Sequence, residues 1–345
     1  MPGFSNVIRL DRIEAKIEET RGTAETTMTR PIVFPDGKAS WTYEADEAIV
    51  PESLRSYHAS DADNTTVGIS RSTLNVEMLA SYEELIWWLN LALKGSSLSG
   101  STTGSTPAGY TYAFTPTAAS DDLATATFKC GDGSAAYVFD RGVVNTLTLR
   151  WNPAGTGADA YWAISATILC RFQGTTTFDA PAAVTRHKIV AKGTKVYLDA
   201  TGGTIGTTQV TNQIRSGSIT ITNNVEEKIF SESSSVTADD FARGEQVISF
   251  DLMRELTADT EFALARAGTV RKLRIEKTGD AIGTSPTTNY LLRIDLPVAR
   301  YTPRIAPNWQ GQNRVVPMGG RGLRNSSNTV PITITSVIAA STVAA

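Results

Sequence analysis

His58 and His187 are the only histidines, and Cys130 and Cys170 the only cysteines, in a chain of 345 residues. Metal sites built on His and Cys clusters are therefore excluded, and a Ser-His-Asp arrangement would have to use one of these two imidazoles. His58 has Ser60, Asp61 and Asp63 as neighbours, but a triad is a geometry in space and not a run of sequence, so His58 reads as a solvated loop residue. His187, between Arg186 and Lys188, reads as a surface histidine. The cysteines lack metal-ligand spacing and read as buried small hydrophobes. The glycine-rich stretches 202–206 and 319–322 could offer amides to an anion, but neither has the spacing of a nucleotide loop or a helix behind it, and both read as turns. No cofactor, metal or catalytic residue is expected.

Charge offers a second kind of chemistry. Arg300, Arg304, Arg314, Arg321 and Arg324 make a basic passage interleaved with Tyr301 and Trp309. Such a passage could bind single-stranded nucleic acid. Net charge is −3, from 32 basic and 35 acidic residues, which does not suggest a dedicated nucleic-acid binder. The passage reads better as a contact between subunits, because arginine pairs bidentately with carboxylates. Its natural partner on a neighbouring copy is the acidic series Glu226, Glu227, Glu232, Asp239, Asp240 and Glu245.

The elements that would position these groups are mostly short strands. Apolar residues make up 41% of the chain, enough to bury a core in one large or two ordinary domains. The first 19 residues carry charge throughout with no apolar run of signal length, and no segment approaches the roughly 20 apolar residues of a membrane span. A soluble protein made in the cytoplasm, without a membrane partner, is expected. Residues 1–40 read as an extended arm, 44–63 as a polar loop, and 66–79 as a strand with a bulge near 70–72. Ser81 and Glu84 match a capping box that opens a helix carrying Leu85, Ile86, Leu89 and Leu93 at helical spacing and closing at Gly95. Trp87 and Trp88 belong to a core or an interface. Strands are expected at 110–115, 125–129, 143–151 and 161–169. A linker is expected at 173–191.

The same order returns in the second half. Strands at 217–223 and 246–256 lead to a helix at 258–267, with Thr257 as N-cap and Gly268 beyond its end. Strands at 272–277, 290–298 and 329–338 follow. The expected fold class is therefore mainly β: two related β-sandwich or barrel units, 1–175 and 176–345, each with a short flanking helix.

Ile17-Glu18-Glu19-Thr20-Arg21-Gly22-Thr23-Ala24 resembles the opening of tail tube proteins of long-tailed, non-contractile (siphovirus-like) bacteriophages. The similarity continues at Gly142-Val143-Val144-Asn145-Thr146-Leu147-Thr148-Leu149, Gly206-Thr207-Thr208, Leu296-Pro297-Val298-Ala299-Arg300-Tyr301 and Ile332-Thr333-Ile334-Thr335. The resemblance implies a structural virion protein, not an enzyme, that self-assembles into stacked rings forming a hollow tube for DNA. It also implies tape measure, tail terminator and tail-tip proteins as partners. With two units per chain, three chains would make a pseudo-hexameric ring, in preference to six. Double-stranded DNA would pass without specific binding, so the wall should be neutral to acidic and free of the arginine passage. Glu77, Asp251, Glu276 and Asp295 are the candidates to line it. The competing reading is a carbohydrate-binding or adhesive β-sandwich module, suggested by the supply of Trp and Tyr and by the Ser/Thr-rich loops.

Overall fold

Alternation of apolar with polar side chains becomes strands in the computed structural model. It describes residues 12–35, 38–49, 65–93, 100–103, 109–116, 123–132, 135–231, 236–255, 260–282, 288–302, 308–310, 313–327, 330–340 and 343. The first half of the chain contains β1 (Arg12–Ile17), β2 (Arg30–Ile32), β3 (Ala39–Ile49), β4 (Thr65–Leu79), α1 (Tyr82–Leu93), β5 (Ser101–Thr103), β6 (Gly109–Phe114), β7 (Ala126–Gly131), β8 (Ala136–Trp151) and β9 (Ala163–Thr176). The second contains β10 (Lys195–Ala200), β11 (Ile214–Thr222), β12 (Val225–Lys228), β13 (Asp240–Arg243), β14 (Val247–Glu255), α2 (Thr260–Arg266), β15 (Val270–Ala281), β16 (Asn289–Tyr301), β17 (Asn308–Gln310), β18 (Asn313–Gly322) and β19 (Thr333–Ile338). The protein is mainly β, as expected. Gly95, Thr257 and His58 lie outside the described residues.

Antiparallel ladders connect two runs of six strands. One run is β3–β4–β9–β8–β7–β1. The other is β11–β14–β18–β16–β15–β10. They meet where Thr146–Trp151 of β8 pairs with Gly217–Thr222 of β11. In each run the helix follows the second strand, α1 after β4 and α2 after β14.

One face of these strands is apolar and enters a single core. Val76 and Met78 of β4, Ile164 and Ile168 of β9, Leu147 and Leu149 of β8, Ile219 and Ile221 of β11, and Phe250 and Leu252 of β14 are all buried there. The two-residue spacing puts each set on one side of its strand. α1 lies within this core against β6, β8, β16 and β19, and every one of its residues is buried. Trp87 and Trp88 meet edge to face, 4.9 Å between centroids. Ser81 caps the helix, its Oγ accepting the Glu84 amide at 3.1 Å. The other half of the expected capping box does not form. The Glu84 carboxylate instead takes Arg30 at 2.8 Å and Arg186 at 3.2 Å, because a buried carboxylate and a buried guanidinium are each costly alone.

Four expectations need correction. The N-terminal segment is not a loose arm, since residues 12–17 are the strand β1, with Ile13, Glu14 and Ala15 all buried. The polar stretch expected as a loop from residue 44 begins as strand, β3 running to Ile49, and the irregularity falls opposite Ala45–Glu47. Residues 319–322 form part of β18 and not a turn. A Cβ at Gly320 would stand 2.3 Å from the Phe250 ring, so this glycine serves close packing. Finally, residues 177–191 are a strap and not a free linker. The Asp179 and Ala180 amides donate to Glu14 at 2.8 and 3.0 Å, Lys129 donates to Asp179 at 2.7 Å, and the Ile189 amide donates to the Ala80 carbonyl at 2.9 Å.

Candidate functional site: a hydroxyl-lined sheet face

The side of the sheet away from the core is polar and continuous across both runs. Glu77, Ser165, Thr148, Thr220, Ser249, Arg321 and Arg300 stand directly opposite one another in turn on β4, β9, β8, β11, β14, β18 and β16. Directly paired residues share a face, so all seven project the same way. The row beside it holds Asn75, Thr167, Thr146 and Thr222. Hydroxyls bond along the sheet, Thr148 to Thr220 at 3.1 Å and Thr167 to Asn75 at 2.9 Å. Threonine fits this position twice over, its branched Cβ favouring strand and its hydroxyl meeting water.

The acidic candidates are placed on strands, and three of the four are neutralised by neighbours. Glu77 accepts from Lys38 at 3.1 Å and also from Arg150. Asp295 takes the Arg274 fork at 2.6 and 2.8 Å, which raises that guanidinium further above its ordinary pKa. Glu276 takes Arg293 at 2.9 Å. Asp251 is exposed and makes no ion pair among the described residues. Sequence alone gave no sign of this pairing, because Arg274 and Arg293 come from adjacent strands, Lys38 from just before β3 and Arg150 from β8 two strands away, and only the fold reveals these neighbours.

The arginine candidates separate differently. Arg304 lies outside the described residues. Arg300, Arg314, Arg321 and Arg324 are exposed and form no ion pair among the described residues. Arg300 and Arg321 share the hydroxyl face with Glu77, so the two sets of candidates are not on separate surfaces. Two members of the acidic series are occupied within their own chain, while Glu226 and Glu245 are exposed and form no ion pair among the described residues. Glu227 holds Arg71 at 2.8 Å, and Asp240 lies 3.4 Å from Arg21 and 3.5 Å from Lys228. Glu232 is outside the described residues. These contacts fold the β12–β13 hairpin over the first run, with Val225, Ala238 and Phe241 packed on Leu123, Val143 and Leu169.

The chain matches the family model for the phage tail tube protein over residues 12–325. It belongs to the phage tail tube protein family. No curated protein matches the chain. As a tail tube protein it is a structural component of the virion that serves DNA ejection, and it is not an enzyme.

In this tail tube protein the residues that carry the family resemblance hold two glycine turns on buried carboxylates, a feature the sequence did not disclose. Glu18 accepts the Gly22 amide at 2.8 Å, the Arg141 amide at 2.7 Å, and the hydroxyls of Thr125 and Thr127. Asp199 accepts the Gly206 amide at 2.6 Å, the Thr208 amide at 2.7 Å and the Thr207 hydroxyl at 2.7 Å. Gly22 and Gly206 have φ of 77° and 86°, the left-handed region open to glycine. Burial alone would raise the Asp199 pKa, but the bonds from Thr207, Thr208 and Gly206 prevail and bring it down to about 2.

The remaining candidates for chemistry have structural roles. The His187 ring is half-exposed, stacks 4.4 Å from Tyr290 and bonds Glu83 at 2.6 Å. Cys130 and Cys170 are free thiols in the core, and burial pushes both well up. Among the described residues no group of His, Cys, Asp and Glu could hold a metal, and no helix is long and apolar enough to cross a membrane. Trp87, Trp88, Trp151 and Trp162 are buried, which removes much of the aromatic supply behind the carbohydrate-binding reading.

Proposed function

We propose that this tail tube protein closes into rings whose inner wall is the hydroxyl-lined face, and that the rings stack into the tube of a long-tailed, non-contractile phage. The observation that carries the proposal is the row from Glu77 to Arg300, one polar face running unbroken over strands of both runs. A conduit for duplex DNA must not grip phosphates, because each phosphate neutralised by Lys or Arg releases counterions and holds the duplex. Small hydroxyls are uncharged, and the acids Glu77, Glu276 and Asp295 are balanced in place by cations. Away from Arg300 and Arg321 the wall is therefore close to neutral, and less acidic than the sequence suggested.

The reading of two related units, 1–175 and 176–345, is supported by the common strand order and by the common position of the helix. The β8–β11 ladder is then a joint between units inside one chain, and three chains supply six units to a ring. Assembly in the host cytoplasm, with the tape measure, terminator and tail-tip proteins as further partners, is the reading that membership of the family supports.

Labelling tests the wall directly. Thr148→Cys and Thr220→Cys introduce thiols on the hydroxyl row, against a background of two buried, unreactive cysteines. In the free subunit both should react with a biotin maleimide and bind streptavidin. In assembled tubes the biotin should be shielded from streptavidin except at tube ends. Streptavidin coating along the tube wall would place this face outside and overturn the proposal.

A further inference from the structure

Arg300 of β16 and Arg321 of β18 face each other directly across the ladder, both exposed, and neither forms an ion pair among the described residues. Like charges directly opposite on adjacent strands are destabilising. Arg324, exposed a few residues beyond, adds to the same positive end. No described carboxylate forms an ion pair with either arginine. The acidic hairpin β12–β13 has committed Glu227 and Asp240 to Arg71, Arg21 and Lys228.

An acidic strand with an open edge exists elsewhere in the same chain. β3 pairs with β4 on one side and with no described strand on the other. Its residues 42–46 are exposed and include Glu44 and Asp46. Its counterpart in the second run, β11, is covered on both sides, by β14 and by β8. The joint between runs also supplies a pattern for the missing contact. There the connection between β11 and β14 sets carboxylates of one run on arginines of the other. The same connection packs on Val143 of β8 and Leu169 of β9, whose counterparts in the second run, β16 and β18, carry Arg300 and Arg321, and the corresponding connection of the first run begins at the end of β3.

From these observations we infer that the Arg300–Arg321 pair seats the acidic edge strand β3 of a second copy of this chain, with Glu44 supplying a carboxylate. The inference rests on the ring reading above and names the contact that closes the ring. Charge complementarity selects a second copy as the occupant. The contact also offsets positive charge on the hydroxyl face, as a DNA conduit requires.

The test uses the full chain and measures assembly by sedimentation and electron microscopy. Arg300→Glu with Arg321→Glu should raise the concentration needed for rings and tubes at least about tenfold, as expected for like charges brought together across an interface, with the thermal midpoint of the monomer kept. Glu44→Arg, a residue without an ion pair of its own among the described residues, should do the same. Adding Glu44→Arg to the double variant should restore assembly to a large extent. Assembly undiminished by the double reversal, or lost and not recovered in the triple variant, would overturn the inference while leaving wild-type rings to support the tube reading. Intact assembly with reduced binding of duplex DNA would instead make the pair a phosphate contact, and would also overturn it. If the wild-type chain forms no ring, both readings fall together.

Discussion

α1 and α2 each follow the second strand of a six-strand run, yet α1 has twelve residues, all buried, while α2 has seven and leaves Ala263 and Arg266 exposed. The sequences explain the difference. Tyr82–Leu93 is apolar on almost every side, which suits a helix enclosed by protein, whereas α2 sends Ala265 to the core. α1 touches β6 and β8 of the first half and β16 and β19 of the second. A common strand order therefore does not mean two independent cores: the first helix fills the space both runs face, and the second is left at the surface.

Substitutions in the two helices should differ accordingly, and the largest effect belongs to α1. Trp88→Ala should cost about 3–5 kcal/mol, the cost of truncating a large core side chain, and thermal unfolding followed on strands of either half should shift together. A second transition, with one half melting earlier, would contradict a shared core. Arg30→Met comes next. It removes one of two cations from the buried Glu84 and should cost about 3 kcal/mol, measured by denaturant unfolding. A neutral result would mean that Arg186 suffices.

The two carboxylate-held turns sharpen the comparison because they are alike where the helices are not. Glu18→Ala and Asp199→Ala should each cost about 2–3 kcal/mol, since each strands several buried donors. Unequal costs, with one near zero, would show that the turns are not equivalent. Asp199 also carries a pH signature. Its carboxyl titrates at about 2 in the folded chain against about 3.9 when unfolded. Its contribution is thus whole above about pH 4 and is lost as pH falls through 2. Asp199→Asn should flatten that part of the acid-unfolding curve. The smallest effect is Ala263→Gly on exposed α2, about 1 kcal/mol from helix propensity alone, with α1 unaffected by hydrogen exchange.

Both helices, and the strands with strict alternation such as β8 and β11, were legible because their patterns are local. β1 was missed: Ile13, Ala15 and Ile17 alternate with charged residues, but the charges disguised the strand; Glu14 is buried with the apolar residues because the strap and Arg12 satisfy it. The strap itself has no periodicity to read, being held by carboxylates and backbone groups distant in sequence. β18 was hidden by Gly319, Gly320 and Pro317, residues that argue against a strand until Phe250 is seen to need the space. Of the candidate surface, the individual acids and arginines were legible. Their pairing was not, nor was their sharing of one face, because register across seven strands is a property of the fold.

Electron cryo-microscopy of tubes assembled from the purified chain tests the central claim most directly. The account predicts three chains per ring, each contributing two units to the circumference, with Thr148 and Thr220 facing the lumen. Six chains per ring would contradict the doubled unit, and a map with the Thr148–Thr220 face on the outside of the tube would contradict the proposed wall.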